Sequence, residues 1–172
     1  GAEVILISGP AAAAPPRFVN TIQIESAQDM FEAVSGLADN QDIIIKAAAV
    51  ADYRPAEVSD EKVKKTDLDM KIPLERTRDI LAWLGEHRKE GQFLCGFSME
   101  TENMIENSRE KLAKKNLDLI VANNLKEEGA GFGTDTNIVT FLSRDETIQL
   151  PILKKEEVAH RLLDHIMDHL TS

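Results

Sequence analysis

Short apolar runs alternate with longer amphipathic ones along this chain, and the spacing inside each predicts an element. Residues 4–8 (VILIS) form a compact apolar run closed by Gly9-Pro10, which reads as a strand and a turn. A loop over 11–16 leads to a second short strand at 20–24. Ser26 and Asp29 stand three apart, as in a capping box, and start a helix whose buried positions are Met30, Phe31, Val34 and Leu37. Residues 42–46 (DIIIK) are continuously apolar instead of alternating, the pattern of a strand covered on both faces.

Residues 52–73 interrupt this rhythm. They are polar, contain Pro55 and Pro73, and offer no apolar face, so they read as a long loop or flap. The alternation then resumes. A helix is expected at 78–87 with Ile80, Leu81 and Leu84 inward, a strand at 93–97, a helix at 101–115 and a buried strand at 117–122. Gly129, Gly131 and Gly133 mark a flexible turn, and 138–142 with 147–150 resemble a hairpin across SRDE. A closing helix at 156–170 turns Val158, Ala159, Leu162, Leu163, Ile166 and Leu170 inward. Strands and helices alternating in this way predict a three-layer, Rossmann-like α/β domain over 1–172, its sheet mostly parallel with a small antiparallel addition near the C-terminal part.

With 172 residues the chain suits one ordinary domain. No run of eighteen apolar residues occurs and the first residues lack a signal-peptide pattern, so a membrane protein is not expected. Cys95 is the single cysteine, which excludes an internal disulfide and fits a cytoplasmic location. The net charge of −10 disfavours a nucleic-acid binder. The charge is uneven, however: residues 62–78 carry +3 and the remainder −13, which suits a small polyanionic ligand.

Ligands of parallel α/β sheets bind beyond the carboxyl ends of strands, and Asp52, Phe97 and Asn123 fall at such ends. Asp52 either meets a ligand or Mg²⁺, or caps its own loop. Tyr53 and Arg54 read as loop-packing and surface residues. Lys62, Lys64 and Lys65 are either a solvated charge run or a mobile flap able to close over phosphates. Lys111 and Lys115 share a helix face with Arg109 and Lys114 nearby; they are either a solvated pair or a polyphosphate contact. Phe97 stacks on a base or packs the core. His87, His160, His165 and His169 form no metal pattern, and no Walker loop, G-x-G-x-x-G, G-x-S-x-G, H-E-x-x-H or C-x-x-C is present.

Six motifs in order, AAAVADYRP, KVKK, RTRDIL, GFSMET, KLAKKNLDLIVAN and GFGTDTNIV, resemble the phosphopantothenoylcysteine synthetase domain of bifunctional coenzyme A biosynthesis proteins. The resemblance implies a ligase that joins 4'-phosphopantothenate to cysteine through an acyl-cytidylate made from CTP with Mg²⁺. It implies that Asp52 contacts nucleotide and Mg²⁺, that Lys62 is the catalytic flap lysine, and that Arg78, Asp79, Ile80 and Leu81 form a nucleotide-contacting stretch. It further implies Phe97 against the cytosine, Lys111 and Lys115 on the triphosphate, and Ala47, Ala48 and Ala49 along the ligand's path. A homodimer is implied as well. The family's glycine-rich first βα unit and its decarboxylase half do not precede Gly1, so a nucleotide-binding or dimerisation fragment without full activity is the alternative expectation. An NAD-dependent oxidoreductase is a weaker one, because the glycine fingerprint is missing.

Overall fold

A computed structural model describes residues 1–11, 13–59, 61–62, 71–100, 102–124 and 135–171, with the side chain of residue 124 left aside. The chain divides into two compact units: residues 1–36 with 49–80, and residues 37–48 with 81–172.

In the first unit, β1 (Ile5–Ser8) pairs in parallel with β2 (Asn20–Gln23), Ile5 opposite Asn20 and Ser8 opposite Gln23. Helix α1 (Ala27–Leu37) begins at the expected capping box: the Asp29 N–H donates to Ser26 Oγ at 3.1 Å, and the Ser26 N–H donates to Asp29 Oδ2 at 2.8 Å. Met30 and Phe31 are buried, while Val34 and Leu37 are half-buried. The expected 52–73 loop has an ordered base. There β4 (Tyr53–Pro55) and β5 (Leu74–Arg76) form an antiparallel ribbon held by an Arg54–Glu75 ion pair at 2.7 Å.

The second unit is built on a five-stranded sheet. β3 (Ile43–Lys46), β6 (Phe93–Glu100) and β7 (Leu119–Asn124) run parallel, and the hairpin of β9 (Val139–Leu142) and β10 (Thr147–Gln149) adds two antiparallel strands beside β7. This is the mostly parallel α/β architecture with an antiparallel addition that the alternation of elements predicted. β8 (Thr136–Asn137) and β11 (Leu153–Lys154) make a further short antiparallel pair.

Helix α4 (Lys155–Thr171) covers one sheet face, with Val158, Leu162 and Ile166 against Phe93, Cys95, Leu119, Val121, Val139 and Phe141. Helices α2 (Ile80–His87) and α3 (Met104–Lys114) belong to the opposite face, where Leu94, Ile120, Leu142 and Leu112 are buried. The apolar stripe of α4 is narrower than its sequence suggests. Ala159, Leu163 and Leu170, expected inward, are exposed, because α4 meets the sheet with a single i, i+4 row, Val158, Leu162 and Ile166. His165 and His169 set their rings beside Phe141 and Phe93, at 5.7 and 5.3 Å between centroids.

α3 ends in a Schellman motif with Asn116 in the left-handed conformation (φ 49°). The Leu117 N–H donates to the Leu112 carbonyl at 3.0 Å and the Asn116 N–H to Ala113 at 3.2 Å. Asn116 also ties this turn to α2, where its Nδ2 donates to the Gly85 carbonyl at 3.0 Å.

The amino ends of the strands are held by Asp118. Its Oδ2 accepts the Leu94 N–H at 2.7 Å, its own N–H donates to the Leu94 carbonyl at 3.0 Å, and Arg88 pairs with the carboxylate at 2.9 Å. Arg88 also donates to the Gln92 carbonyl, and Gln92 Nε2 reaches the carbonyls of Ala38 and Gln41 at 2.6 and 2.7 Å. Among the described residues no buried side-chain nitrogen or oxygen lacks a partner.

Candidate functional site

The residues singled out from sequence divide between the two units. In the first, Ala49, Asp52, Lys62, Arg78 and Asp79 are exposed and Ile80 is buried. The Asp52 carbonyl accepts the Thr77 N–H at 2.9 Å, and Thr77 Oγ1 donates to the Ala51 carbonyl at 2.5 Å, so this strand exit is tied to the chain that follows β5. The Arg78 guanidinium lies 4.6 Å from the centre of the Phe31 ring, a cation–π contact that holds it close to α1. Lys64 and Lys65 lie outside the described residues, as do Gly129, Gly131 and Gly133.

In the second unit, Ala47 and Ala48 are exposed beyond β3, where the Ala48 carbonyl accepts Lys46 Nζ at 2.7 Å. Leu81 is buried against β6, and a β-carbon on Gly96 would stand only 2.6 Å from its Cδ2. Phe97 is half-buried and packs on the core cluster, so its ring is chiefly a packing group. Lys111 forms an ion pair with Glu100, the last residue of β6. This contact brings the Lys111 ammonium to the carboxyl edge of the parallel strands, where ligands of this architecture bind. The Lys115 N–H donates to the Lys111 carbonyl at 3.0 Å as α3 closes.

Three further contacts escape the sequence pattern, although it places Asn123 itself at a strand end. Glu100 is the partner of Lys111, and its Oε2 also accepts Asn107 Nδ2 at 3.2 Å. Ser98 and Ser108 share a buried hydroxyl contact of 2.9 Å between β6 and α3. Asn123, at the carboxyl end of β7, accepts Asn137 Nδ2 at 2.8 Å. Each joins residues at least ten apart or in different elements, and no local spacing signals such a pair.

The first unit also contains a cleft of 480 Å³ beyond the carboxyl ends of β1 and β2. Leu6, Ser8, Gly9, Gln23, three alanines and two prolines line it. Among the described residues no group of three or more His, Cys, Asp or Glu is arranged to hold a metal.

Residues 1–170 match the model of the DNA/pantothenate metabolism flavoprotein C-terminal domain. The chain belongs to this family. It is 51% identical, over 168 residues, to the coenzyme A biosynthesis bifunctional protein CoaBC of Bacillus subtilis (strain 168), covering 96% of this chain and 41% of that protein. It is 44% identical over 169 residues to a cysteine/cysteine sulfinic acid decarboxylase of an unknown prokaryotic organism, covering 97% and 47%. The chain thus spans less than half the length of these curated relatives. Among solved structures, the C-terminal domain of a coenzyme A biosynthesis bifunctional protein CoaBC superposes with a TM-score of 0.81 at 50% identity, covering 99% of this chain and 78% of that one. A Cab2 variant in complex with phosphopantothenate-cysteine shares the fold, with a TM-score of 0.69 at 17% identity, covering 89% and 54%.

The family description names a flavoprotein and the 44% identical relative is named a decarboxylase, where the motif resemblance implied a synthetase using CTP and Mg²⁺. On these names the synthetase assignment, the CTP and Mg²⁺, and the partner set built on CTP are corrected and not carried further. The flavin that the family description implies can be tested against the first unit's cleft. Its lining holds no cation for a flavin phosphate and no aromatic ring for the isoalloxazine face, so these residues do not fit that group.

Proposed function

We propose that this chain is the C-terminal part of a flavin-dependent coenzyme A biosynthesis protein and that, within it, the chain binds phosphopantothenoylcysteine, the conjugate on which such a decarboxylase acts. The observation that carries the reading is the position of the Lys111 ammonium at the carboxyl edge of β6. A phosphate monoester needs a cation there, and a lysine supplies a compact point charge that tolerates several approach directions. The names of the relatives and the ligand of the Cab2 complex support the choice of conjugate.

Lys111, with Lys115 one turn later, is the proposed phosphate contact in the second unit. Ala47 and Ala48, also in the second unit, are proposed to leave room for the ligand beyond β3; in the first unit, taken by itself, Lys62, Asp52 and Arg78 are the proposed polar contacts and Ala49 the small residue that leaves room. Ile80, Leu81 and Phe97 then act by packing, and the exposed Asp79 by shaping the backbone ahead of α2. The proposal includes a cytoplasmic location. In its favour, the single cysteine is a buried free thiol, and no helix among the described residues is long and apolar enough to cross a membrane.

Isothermal titration with phosphopantothenoylcysteine tests the reading, using its dephosphorylated form as control. Saturable binding that weakens at least tenfold without the phosphate, or in Lys111→Ala, is the expected result. Absence of saturable binding by the folded chain rejects it.

A further inference from the structure

We propose that Glu100 is a built-in competitor for Lys111, occupying the ammonium group that a ligand's phosphate must take. The inference rests on the reading of Lys111 as a phosphate contact.

The two partners are unequally held. The Glu100 side chain is 13% exposed, whereas that of Lys111 is 47% exposed. The carboxylate is fixed from two sides, by Lys111 at Oε1 and by Asn107 at Oε2. Asn107 is itself anchored: its Nδ2 donates to the Glu102 carbonyl at 3.0 Å and its N–H to the Asn103 carbonyl at 2.9 Å. Lys111 is therefore the partner free to swing.

An arriving phosphate meets a neutralised pair, not a free cation. Turning the ammonium toward the ligand leaves a largely shielded carboxylate with one neutral hydrogen bond. An exposed ion pair contributes little by itself, but stranding the less exposed charge costs more than that. The cost subtracts from ligand affinity, and it is recovered when the ligand departs and Glu100 reclaims the lysine. Such a contact favours release of a phosphorylated compound over its retention.

The test is a set of titrations at fixed ionic strength on the unsubstituted chain, Glu100→Gln, Lys111→Met and the double variant. Gln keeps the size of Glu and can still accept from Asn107; thermal melts verify that each variant is folded. Glu100→Gln is expected to bind phosphopantothenoylcysteine about three- to tenfold more tightly, with the dephosphorylated compound unaffected. The gain should vanish in the double variant. Inorganic phosphate alone is titrated in parallel: a gain for both separates a general phosphate subsite from one that needs the whole conjugate. If the unsubstituted chain binds the conjugate and Glu100→Gln does not bind it more tightly, the competitor role is wrong and the functional reading stands. If the conjugate does not bind at all, the functional reading fails. Inorganic phosphate then decides the competitor role, which stands on a gain in Glu100→Gln and falls without one.

Discussion

Gly85 and Lys115 approach so closely that a β-carbon on the glycine would lie 1.8 Å from the lysine's carbonyl oxygen. The obstacle is backbone, which cannot rotate aside. Gly85→Ala should therefore force α2 away from the end of α3 and cost about 3 kcal/mol. Gly36, in α1, has nothing within 4 Å of its notional β-carbon. Gly36→Ala should instead stabilise by about 0.5–1 kcal/mol through helix propensity. Urea unfolding of both variants gives the comparison, and equal effects would contradict it.

Asn116 combines a left-handed backbone with three ties, to Gly85, Arg144 and Arg88. Asn116→Ala strains the turn and removes both side-chain contacts, for a loss of about 1–2 kcal/mol. Asn116→Gly relieves the strain and loses only the contacts, so it should melt between Ala and the unsubstituted chain. Scanning calorimetry ranks the three.

The capping carboxylate of α1 carries a pH signature. Backbone and side-chain hydrogen bonds from Ser26, then the Glu25 N–H, hold the Asp29 carboxyl below its ordinary 3.8. A folded value lower than the unfolded one stabilises fully above the unfolded value, and that contribution fades as the pH falls through the folded value. Asp29→Asn should thus melt earlier at neutral pH, and the gap should close below about pH 4. A gap that stays constant down to pH 2 would disprove the assignment.

Burial, aided by the nearby charge of Asp118, pushes the Cys95 thiol up to about 12. The native thiol stays neutral and shielded, so iodoacetamide at pH 8 should leave it unmodified until denaturant is added. Because the unfolded thiol ionises first, stability drains away as the pH rises from about 9 towards the folded value. Mass spectrometry of alkylated native and unfolded protein reads the first effect directly.

Local signals in the sequence were dependable where they concern neighbours in the chain. Ser26 and Asp29 announce the start of α1, and the SRDE turn announces the β9–β10 hairpin. The β4–β5 ribbon was missed because its six residues are all exposed, leaving no alternation to detect. Leu163 and Leu170 read as core in the sequence because helical periodicity fixes a face but not how wide a strip the neighbour covers. The Arg88–Asp118 pair depends on β6 lying beside β7 and the Lys111–Glu100 pair on how α3 folds back over β6, and no local spacing contains either. Motif resemblance led to coenzyme A biosynthesis, in which named relatives work, and to a reaction that the family description does not carry.

The double contact between Asp118 and Leu94 adds a rung just before the β6–β7 ladder, whose first paired residues are Cys95 and Leu119. Side chains alternate across a strand, so a slip of one residue would turn every core position to the wrong face. The carboxylate recognises one N–H, and its own amide recognises the carbonyl of that same residue. Asp118 thus serves as a registration mark: it rewards one alignment of β6 with β7 and loses both Leu94 contacts in every other.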